Sequence, residues 1–427
     1  MRGGNEVKND NYEDGLKKRN EFVDEDELLK ELQPEEDTDY YDSVSPDELG
    51  HGLRINEEYA YEGAWLPEKE PLGAGRIIRR ILLAVFLVLL LLAIILTAFL
   101  TANEFKPGQK VKVAVSHDAT KELAREQEFS LLTWDIGYGV FGQNASYKPD
   151  GGDDTRTANE AEVGNYMTGI LKQLQKMDPD VALLQEVDKD STRSYRTNES
   201  SIIFKALPDM QGAFTNDWLC RFVPHPLLGR VDAGIQTMSK FPISSAQRRA
   251  FPVPNHWPLS TIRPKRGMLV TRIPLKDTDR ELVVVNVHLQ PYEEQSESAA
   301  QQINRLKRVL EDEVTGGNYV ICGGNFNQTF STTYTDQFMN LPDVWQPDIL
   351  EEEEFNYGLQ LLMDSGVATA RSLSMNYKEN KDKDFQFYVI DGFILSSNIN
   401  VKKITTKDLG FLYSNHNPVV MTLELEE

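Results

Sequence analysis

The stretch NYVICGGNFNQTF, residues 318–330, joins a strand-like run to a polar ending. Its apolar half stops at two glycines, and Asn325 and Asn327 then flank a phenylalanine. Residues i and i+2 of an extended chain point the same way, so the two amides are expected side by side at the end of a strand. Ligand-binding and catalytic groups of sheet proteins collect where strand ends meet loops. The stretch therefore predicts a sheet with a polar site at its edge, built here on neutral amides.

Five further apolar runs end in, or enclose, polar residues. The runs are LLTWDIGYG, VALLQEVD, LVVVNVHLQ, FYVIDGFIL and YSNHNPVV, and their polar residues are Asp135, Glu186, His288, Asp391 and the pair Asn415–His416. Each has an ordinary explanation when taken alone, since a histidine in a strand is usually hydrogen-bonded in the core and an aspartate before glycine is usually in a turn. Six such endings in one chain favour a shared site.

Strand-like and helix-like patterns alternate from about residue 127 onward, and we place one domain at residues 127–427. Strands are predicted at Phe129–Thr133, Val181–Gln185, Gly234–Met238, Met268–Ile273, Glu281–His288, Tyr319–Cys322, Phe385–Ser396 and Val419–Leu425. Amphipathic helices are predicted at Glu162–Met177 and Ala299–Glu313. Some of these strands are consecutive in the chain and others are separated by a helix. This order indicates an α/β fold with two sheets packed face to face and helices outside.

Charge and cysteine content exclude some classes of protein. The formal charge of −22 and the pI near 4.8 argue against nucleic acid as a partner, because nucleic-acid binding usually relies on a basic face. Two cysteines in 427 residues do not make a disulfide scaffold. Cys322 lies in an apolar strand, which favours a buried free thiol over a bond to Cys220.

Residues 1–75 form an acidic N-terminal segment with 22 Asp and Glu against 8 Lys and Arg. The segment has no sustained hydrophobic periodicity, so it lacks the apolar surface that offsets the entropy of ordering. We predict a disordered cytoplasmic tail, and docking of its tyrosine- and acid-rich pieces on a partner is the alternative.

Residues 81–102, ILLAVFLVLLLLAIILTAFLTA, are uncharged and exceed the ~20 residues that cross a bilayer core as a helix. They lie too far from the N-terminus for a cleaved signal peptide. We predict a single transmembrane helix within residues 76–102, followed by a linker at 103–126. The dense arginines at 76, 79 and 80 favour a cytoplasmic N-terminus, which makes the domain extracytoplasmic at the cell membrane.

The polar endings, read in order, are similar to the motifs of the endonuclease/exonuclease/phosphatase superfamily, the DNase I-like proteins. The motifs are Trp-x-Ile-Gly-Tyr-Gly, Gln-Glu-Val-Asp, Asn-Val-His-Leu, Gly-Gly-x-Phe-Asn, Ile-Asp-Gly-Phe and Ser-x-His-Asn-Pro, and they span about residues 127–427. The resemblance implies a four-layer α/β sandwich that hydrolyses phosphate esters with Mg²⁺ or Mn²⁺.

The resemblance also implies roles for single residues. Glu186 resembles the principal metal ligand, with residues 135 and 415 beside it. His288 resembles the histidine that supports the scissile phosphate or protonates the leaving oxygen, and Asn327 the amide that binds a phosphate oxygen. Asp391 and His416 resemble the pair in which a carboxylate orients an imidazole. Residue 325 stands where the family has the carboxylate that positions or deprotonates the attacking water.

Three positions depart from the family pattern, which has Asp at 325, Asp at 415 and Asn at 135. This chain has Asn325, Asn415 and Asp135. An amide does not accept a proton as a carboxylate does, and losing a positioned acid or base costs ~10²- to 10⁴-fold in rate. Asp135 returns a carboxylate to the metal shell, and Mg²⁺ prefers oxygen ligands. We therefore expect metal binding to survive, weakened, and catalysis to suffer much more.

Two functions fit these residues. The first is a membrane-anchored phosphodiesterase- or phosphatase-type hydrolase with strongly reduced activity. The alternative is a pseudoenzyme that binds a phosphorylated ligand or a partner protein. Loop residues that can flank a phosphate crevice are Arg193, Arg196, Arg263, Lys265 and Arg266, although solvated charge is the ordinary role of each. A position beside the outer leaflet favours a lipid headgroup or an extracellular nucleotide as the phosphate-ester ligand.

Overall fold

The computed structural model describes residues 73–427 apart from 117, 225–226, 254, 292–296, 343 and 382–384. Almost all of the predicted acidic tail therefore lies outside the described residues. Residues 78–427 form one compact unit. Its strands and helices are numbered below in chain order.

Two seven-stranded sheets dominate the domain. The first sheet has the strand order β1-β7-β8-β9-β10-β16-β13, with β1 Lys110–Val113, β7 Ser245–Ala250, β8 Gly267–Pro274, β9 Glu281–His288, β10 Tyr319–Asn325, β16 Asp391–Leu395 and β13 Gln360–Leu362. The second has the order β17-β18-β3-β4-β6-β5-β2, with β17 Ile399–Thr406, β18 Val419–Leu425, β3 Phe129–Asp135, β4 Val181–Asp188, β6 Gly229–Ser239, β5 Gln211–Val223 and β2 Val115–Ser116. Each sheet holds one parallel pair at its centre, β9 with β10 and β3 with β4.

Smaller elements complete the described structure. Two two-stranded sheets pair β11 Gln328–Phe330 with β12 Asp348–Leu350, and β14 Ala370–Arg371 with β15 Phe387–Tyr388. The helices are α1 Ala74–Ala102, α2 Glu160–Met177, α3 Glu199–Ala206 and α4 Glu297–Thr315. Helix α2 begins two residues before the predicted start because Asn159 caps it, in a box with Glu162.

Three hydrophobic cores separate four layers, as the resemblance implies. One core lies between the two sheets and includes Leu131, Leu183 and Val284. A second core packs α2 and α3 on the second sheet, with Ile170 and Leu184 inside it. The third packs α4 on the first sheet. Because both faces of the central strands are covered, those strands read as continuous apolar runs in the sequence.

Two details of the predicted organisation need correction. Residues 103–126, predicted as a linker, contain β1 and β2, which pair with β7 and β5 and so extend both sheets. The predicted strand Phe385–Ser396 is two strands in different sheets, β15 and β16. The break has a local cause, because the Thr369 hydroxyl accepts the backbone N–H groups of both Ile390 and Asp391 and removes them from a strand ladder.

Helix α1 is long and apolar enough to cross a membrane, by length and composition. Its apolar side chains are exposed along most of its length, and among the described residues only its last turns contact the domain. Both cysteines are free and buried, which confirms the predicted thiol of Cys322.

Asp180 ties the start of the domain to the centre of the second sheet. Its carboxylate accepts the backbone N–H of Ser130 at 2.9 Å and also pairs with Lys121, from the segment before β3. Burial acts to raise the pKa of Asp180, but Lys121 and the Ser130 N–H outweigh it and hold that pKa below its ordinary value. The charged carboxylate therefore stabilises the fold at neutral pH.

We expect Asp180→Asn to lower the free energy of unfolding by about 2 kcal/mol at neutral pH, because the new amide nitrogen must face either Lys121 or the Ser130 N–H. Asp178→Asn is the matched control. Asp178 pairs with Lys240, as Asp180 does at longer range, but its side chain is exposed, and exposed pairs contribute at most about 1 kcal/mol. Denaturant unfolding of the full chain in detergent measures both losses, and equal losses would contradict the assignment.

The same pair of proteins gives a pH test. Because the folded-state pKa of Asp180 is lowered, its contribution is present above the unfolded-state pKa and is lost as pH falls through the folded-state pKa. The stability gap between the parent and Asp180→Asn is therefore expected to shrink in acid. A gap that is constant from neutral pH into acid would show that the carboxylate charge is not involved.

Candidate active site

The first sheet brings three of the predicted residues to one edge. Asn325 ends β10, and the strand register sets it beside His288, the last residue of β9, and Asp391, the first residue of β16. All three side chains are buried. Neighbouring strand ends thus explain why residues far apart in sequence form one cluster.

The second sheet supplies the facing group. Asp135 ends β3, and Ser414 connects it to the loop before β18, because the Ser414 hydroxyl donates to the Asp135 carbonyl at 2.8 Å. The same hydroxyl accepts the backbone N–H of His416 at 3.1 Å. Trp134 donates from its indole to the His416 carbonyl at 3.0 Å. The tryptophan and serine of the two motifs therefore align Asn415 and His416 beside Asp135.

A bulge aims Glu186 into the site. The register between β4 and β6 shifts between Leu184 and Val187, and Glu186 has a left-handed backbone with φ 54°. An extra residue in one strand re-aims a side chain in this way. Beneath it, Gln185 donates to the side chain of Asn286 on β9 at 2.8 Å. Asn286 in turn donates to the Leu184 and Gln236 carbonyls, so buried amides join the two sheets under the site.

Asp135 and Asn325 contact each other across the two sheets. The Asn325 side-chain nitrogen donates to the Asp135 carboxylate at 3.1 Å, and the Asn325 oxygen accepts the backbone N–H of Asn327 at 2.9 Å. Asn327, whose amide also donates to the Leu289 carbonyl, lines the same cavity. One acid and one amide thus share a single hydrogen bond at the centre of the site.

Asp391 and His416 form a buried ion pair, with 2.8 Å between the Asp391 carboxylate and Nδ1 of His416. Burial alone would lower the pKa of His416, but Asp391 and Asp135 outweigh it and raise that pKa to about 9. The bond at Nδ1 leaves Nε2 for the cavity, which His416 lines. In contrast, burial, Arg266 and His416 hold the pKa of His288 well below its ordinary value.

Carboxylates and one imidazole gather at a point suited to a cation. Atoms of Asp135, Glu186 and His288 lie within 4.8 Å of one another. Burial and the charge of Asp135 raise the pKa of Glu186 well above its ordinary value. The side-chain oxygen of Asn415 is buried and has no hydrogen-bond partner among the described residues. A hard oxygen donor left without a partner beside two carboxylates fits Mg²⁺ or Mn²⁺.

Glu186, His288 and Asn415 line a cavity of about 480 Å³. Of the five basic residues that the sequence suggested, Arg193, Arg263 and Arg266 line it. Arg196 instead pairs with Asp190, and Lys265 pairs with Glu104 outside the cavity. The cavity therefore combines an acidic centre with cationic walls, an arrangement that suits a cation together with an anionic ligand.

Arg193 is held in place on several sides. Its guanidinium makes two bonds to Asp188, at 2.9 and 3.0 Å, and lies 3.3 Å from the centre of the Tyr138 ring. Trp218 stands on its other flank. A guanidinium fixed in this way presents its remaining N–H groups without further ordering cost.

Aromatic residues that line the cavity were not predicted from the sequence. Tyr138, Tyr147 and Trp218 line the cavity, but no polar strand ending announces them. The one available signal was the Gly-Tyr-Gly stretch, because all three residues have left-handed backbones with φ from 52° to 60°. Gly137 is required twice over, since a Cβ there would also approach the Asn415 side-chain oxygen to 3.0 Å.

A known protein family matches this chain. The family model described as "Endonuclease/Exonuclease/phosphatase family" matches residues 132–358, more than half of the chain. The chain belongs to this family. Asp391, Asn415 and His416 lie beyond the matched residues, and strands of the same two sheets carry them to the site.

Several solved structures are similar. An endonuclease/exonuclease/phosphatase from Beutenbergia cavernae is 17% identical with a TM-score of 0.46, covering 70% of this chain and 72% of that one. One from Bacteroides vulgatus is 14% identical with a TM-score of 0.45, covering 70% and 100%. The human Nocturnin catalytic domain is 13% identical with a TM-score of 0.45, covering 73% and 97%. No curated protein matches the chain.

We expect Mg²⁺ or Mn²⁺ to raise the melting temperature of the full chain, because an ion that binds only the folded state stabilises it. At ten times its dissociation constant the ion adds ~1.4 kcal/mol. Glu186→Gln should abolish this shift. Asp150→Asn is the matched control, since Asp150 lines the same cavity outside the acidic cluster. Thermal unfolding with and without the ion decides, and a shift that survives Glu186→Gln places the metal elsewhere.

Proposed function

We propose that this chain is a membrane-anchored, extracytoplasmic phosphoester hydrolase that uses Mg²⁺ or Mn²⁺ and turns over slowly. The observation that supports this most directly is the meeting of Asp135, Glu186 and His288 within 4.8 Å at the base of a cavity with arginine walls. A binding protein for a partner of another kind would not need that combination. The family fold is of the phosphoesterase type, which supports the same reaction class.

The residues that would hold the metal are Glu186, Asp135 and Asn415. When bound, the ion supplies positive charge that polarises the phosphate and offsets charge in the transition state. Glu186 and Asp135 provide anionic oxygens, and the unpartnered oxygen of Asn415 adds a neutral one. The negative charge that Asp135 adds thus compensates for the charge that is missing at Asn415.

The remaining residues act on the phosphate directly. Arg193 and Arg266 on the cavity wall neutralise its non-bridging oxygens. His416, held by Asp391, directs Nε2 toward the same oxygens. Asn327 keeps one amide hydrogen free beside its bond to Leu289, and it binds a further oxygen. His288 supports the phosphate from the end of β9. Together these groups bind and orient the ester before any bond breaks.

The weak step is the activation of water. Asn325 stands where the family has a carboxylate, and an amide does not take a proton from water. Asp135 lies one hydrogen bond away, at 3.1 Å, so the site keeps its carboxylate but holds it on the opposite sheet. Water positioned for attack from the side of residue 325 therefore meets a donor amide rather than a base.

The hydrogen bonds of Asn325 also favour a second function. The Asn325 side chain donates to Asp135 and accepts from Asn327. This makes the site rigid and able to bind without turnover. A pseudoenzyme that binds a phosphorylated ligand would use the metal, Arg193 and His416 as described and would lack only the base.

The anchoring proposal rests on α1 and its flanking charge. Arg76, Arg79 and Arg80 lie in the first turns of this helix, the end that the positive-inside rule assigns to the cytoplasm. Protease added to intact cells is expected to degrade the domain from residue 103 onward and to spare residues 1–75. Permeabilised cells are the control, in which both parts should be cut. Protection of the domain in intact cells would reverse the topology.

Restoring the family residues tests the chemistry. We expect the triple variant Asp135→Asn, Asn325→Asp and Asn415→Asp to gain at least ~10²-fold in metal-dependent hydrolysis, the low end of what a positioned acid or base contributes. The substrates are a nitrophenyl phosphodiester, a phosphomonoester, sphingomyelin, an inositol phosphate and DNA. A folded, metal-binding triple variant with no gain on any of them would favour the pseudoenzyme. Rapid turnover by the parent would contradict the slow-turnover proposal.

The single and double variants are the matched controls. Asn325→Asp alone sets two carboxylates at hydrogen-bond distance, so it should destabilise the fold and restore little activity. Asp135→Asn with Asn325→Asp keeps the bond with donor and acceptor reversed, so its stability should return close to that of the parent. The activity and the free energy of unfolding of the parent, the two single variants and the double variant give the coupling between residues 135 and 325.

A further inference from the structure

We infer that Val253, Trp257 and Leu259 form a surface, here named the Trp257 surface, that rests on the outer face of the lipid bilayer. The inference depends on the proposed membrane anchoring and adds the part of the domain that meets the lipid. It follows from the position of the helix end, from the contacts that fix it and from the side chains exposed there.

The sequence of α1 sets the level of the membrane surface. Residues Ile81–Leu100 are twenty uncharged residues. At ~1.5 Å per residue they cover ~30 Å, the thickness of the hydrocarbon core. Thr101 is therefore the first residue at the headgroup level. Any part of the domain bonded to Thr101 lies at that level too.

The end of the helix is bonded to the domain. Trp257 donates from its indole nitrogen to the Thr101 hydroxyl at 2.9 Å. Three residues on, the buried Glu104 carboxylate accepts the Ser260 hydroxyl at 3.1 Å and pairs with Lys265. Leu100, the last residue of the uncharged run, belongs to the hydrophobic core that packs α2 and α3 on the second sheet. These contacts hold the domain at a fixed height above the helix rather than on a free tether.

Trp257, which is bonded to Thr101, and two of its near neighbours in the chain are apolar and exposed. Trp257 is 61% exposed, Leu259 52% and Val253 42%. Exposed apolar residues grouped in this way mark a contact surface. Tryptophan in particular favours the boundary between lipid and water, where its ring is in contact with acyl chains and its N–H meets polar groups. The bilayer is the occupant that continuity with α1 selects, because the helix carries these residues to its boundary.

The surface adjoins the cavity through one segment of chain. Residues 257–266 begin at the Trp257 surface and end at Arg263 and Arg266, which line the cavity. The segment that reaches the headgroup layer at Trp257 thus also supplies two arginines of the cavity wall. This location favours phosphoesters of lipid headgroups as ligands over esters free in solution.

The test measures contact between Trp257 and lipid in the full chain reconstituted in phosphatidylcholine vesicles. The chain has tryptophans at 65, 134, 218, 257 and 345, and Trp65→Phe removes the one that lies outside the described residues. In this background we expect phosphatidylcholine brominated near the carbonyl end of its acyl chains to quench the fluorescence. The additional change Trp257→Phe should remove most of that quenching.

The matched control moves a tryptophan to an equally exposed site. Tyr357 is 61% exposed, like Trp257, but it precedes β13, at the opposite edge of the first sheet from β1 and β7. Tyr357→Trp, made together with Trp65→Phe and Trp257→Phe, should not restore the quenching. Restoration to the parent level would show that the quenching is nonspecific and would overturn the inference.

Alkaline carbonate extraction separates the two proposals. If the chain leaves the vesicles, the membrane anchoring fails and the Trp257 surface fails with it. If the chain stays and the emission of Trp257 is not quenched, the anchoring holds and the surface inference alone is overturned. Retention together with quenching that depends on Trp257 supports both.

Discussion

The buried side chain of Asn286 holds the two sheets at one spacing, and the site above it depends on that spacing. Its nitrogen donates to the Leu184 and Gln236 carbonyls on the second sheet, and its oxygen accepts from Gln185. Apolar side chains alone would let the sheets slide, because the hydrophobic effect has no direction. Directional bonds between buried amides fix the registration, since any shift leaves a polar group unsatisfied. Strand ends from both sheets can then meet within hydrogen-bond distance.

The charges of the site follow from this frame. Asp135 is close enough to Glu186 and to Asp391 for the negative charges to repel. His416, Arg193 and Arg266 offset that repulsion at Glu186. Burial is the main cause of the raised pKa of Glu186, and the charge of Asp135 adds to it. Burial opposes the raised pKa of His416, which Asp391 and Asp135 produce. A divalent cation would reduce the repulsion, and an anionic ester would then face the arginines. The charges of the proposed site therefore suit both ligands, although residue 325 is an amide and not a base.

Several strands were predicted from the residue pattern within each strand, but the contacts between strands were not predicted. Strands β9 and β18 were predicted to the residue, because β9 has a long apolar run and β18 ends in alternating apolar and polar residues. Strands β1 and β2 were not predicted. Both are short and lie at sheet edges, and β1 also carries two lysines. The motifs indicated which residues gather, but Asp135 and Asn325 are 190 positions apart, and no periodicity reveals that one bonds to the other. The aromatic wall was missed for a similar reason, because Trp218 reaches the cavity from the middle of a long strand whose pattern is that of an ordinary edge.

The bond between Asp135 and Asn325 has a consequence for how this sequence can change. Asp135→Asn alone would turn an amide nitrogen toward the Asn325 nitrogen, because the other Asp135 oxygen accepts the Gly137 N–H. Asn325→Asp alone would set two carboxylates in contact. Either single change is expected to destabilise the protein, so the two positions are coupled, and the acid and the amide are expected to be inherited together.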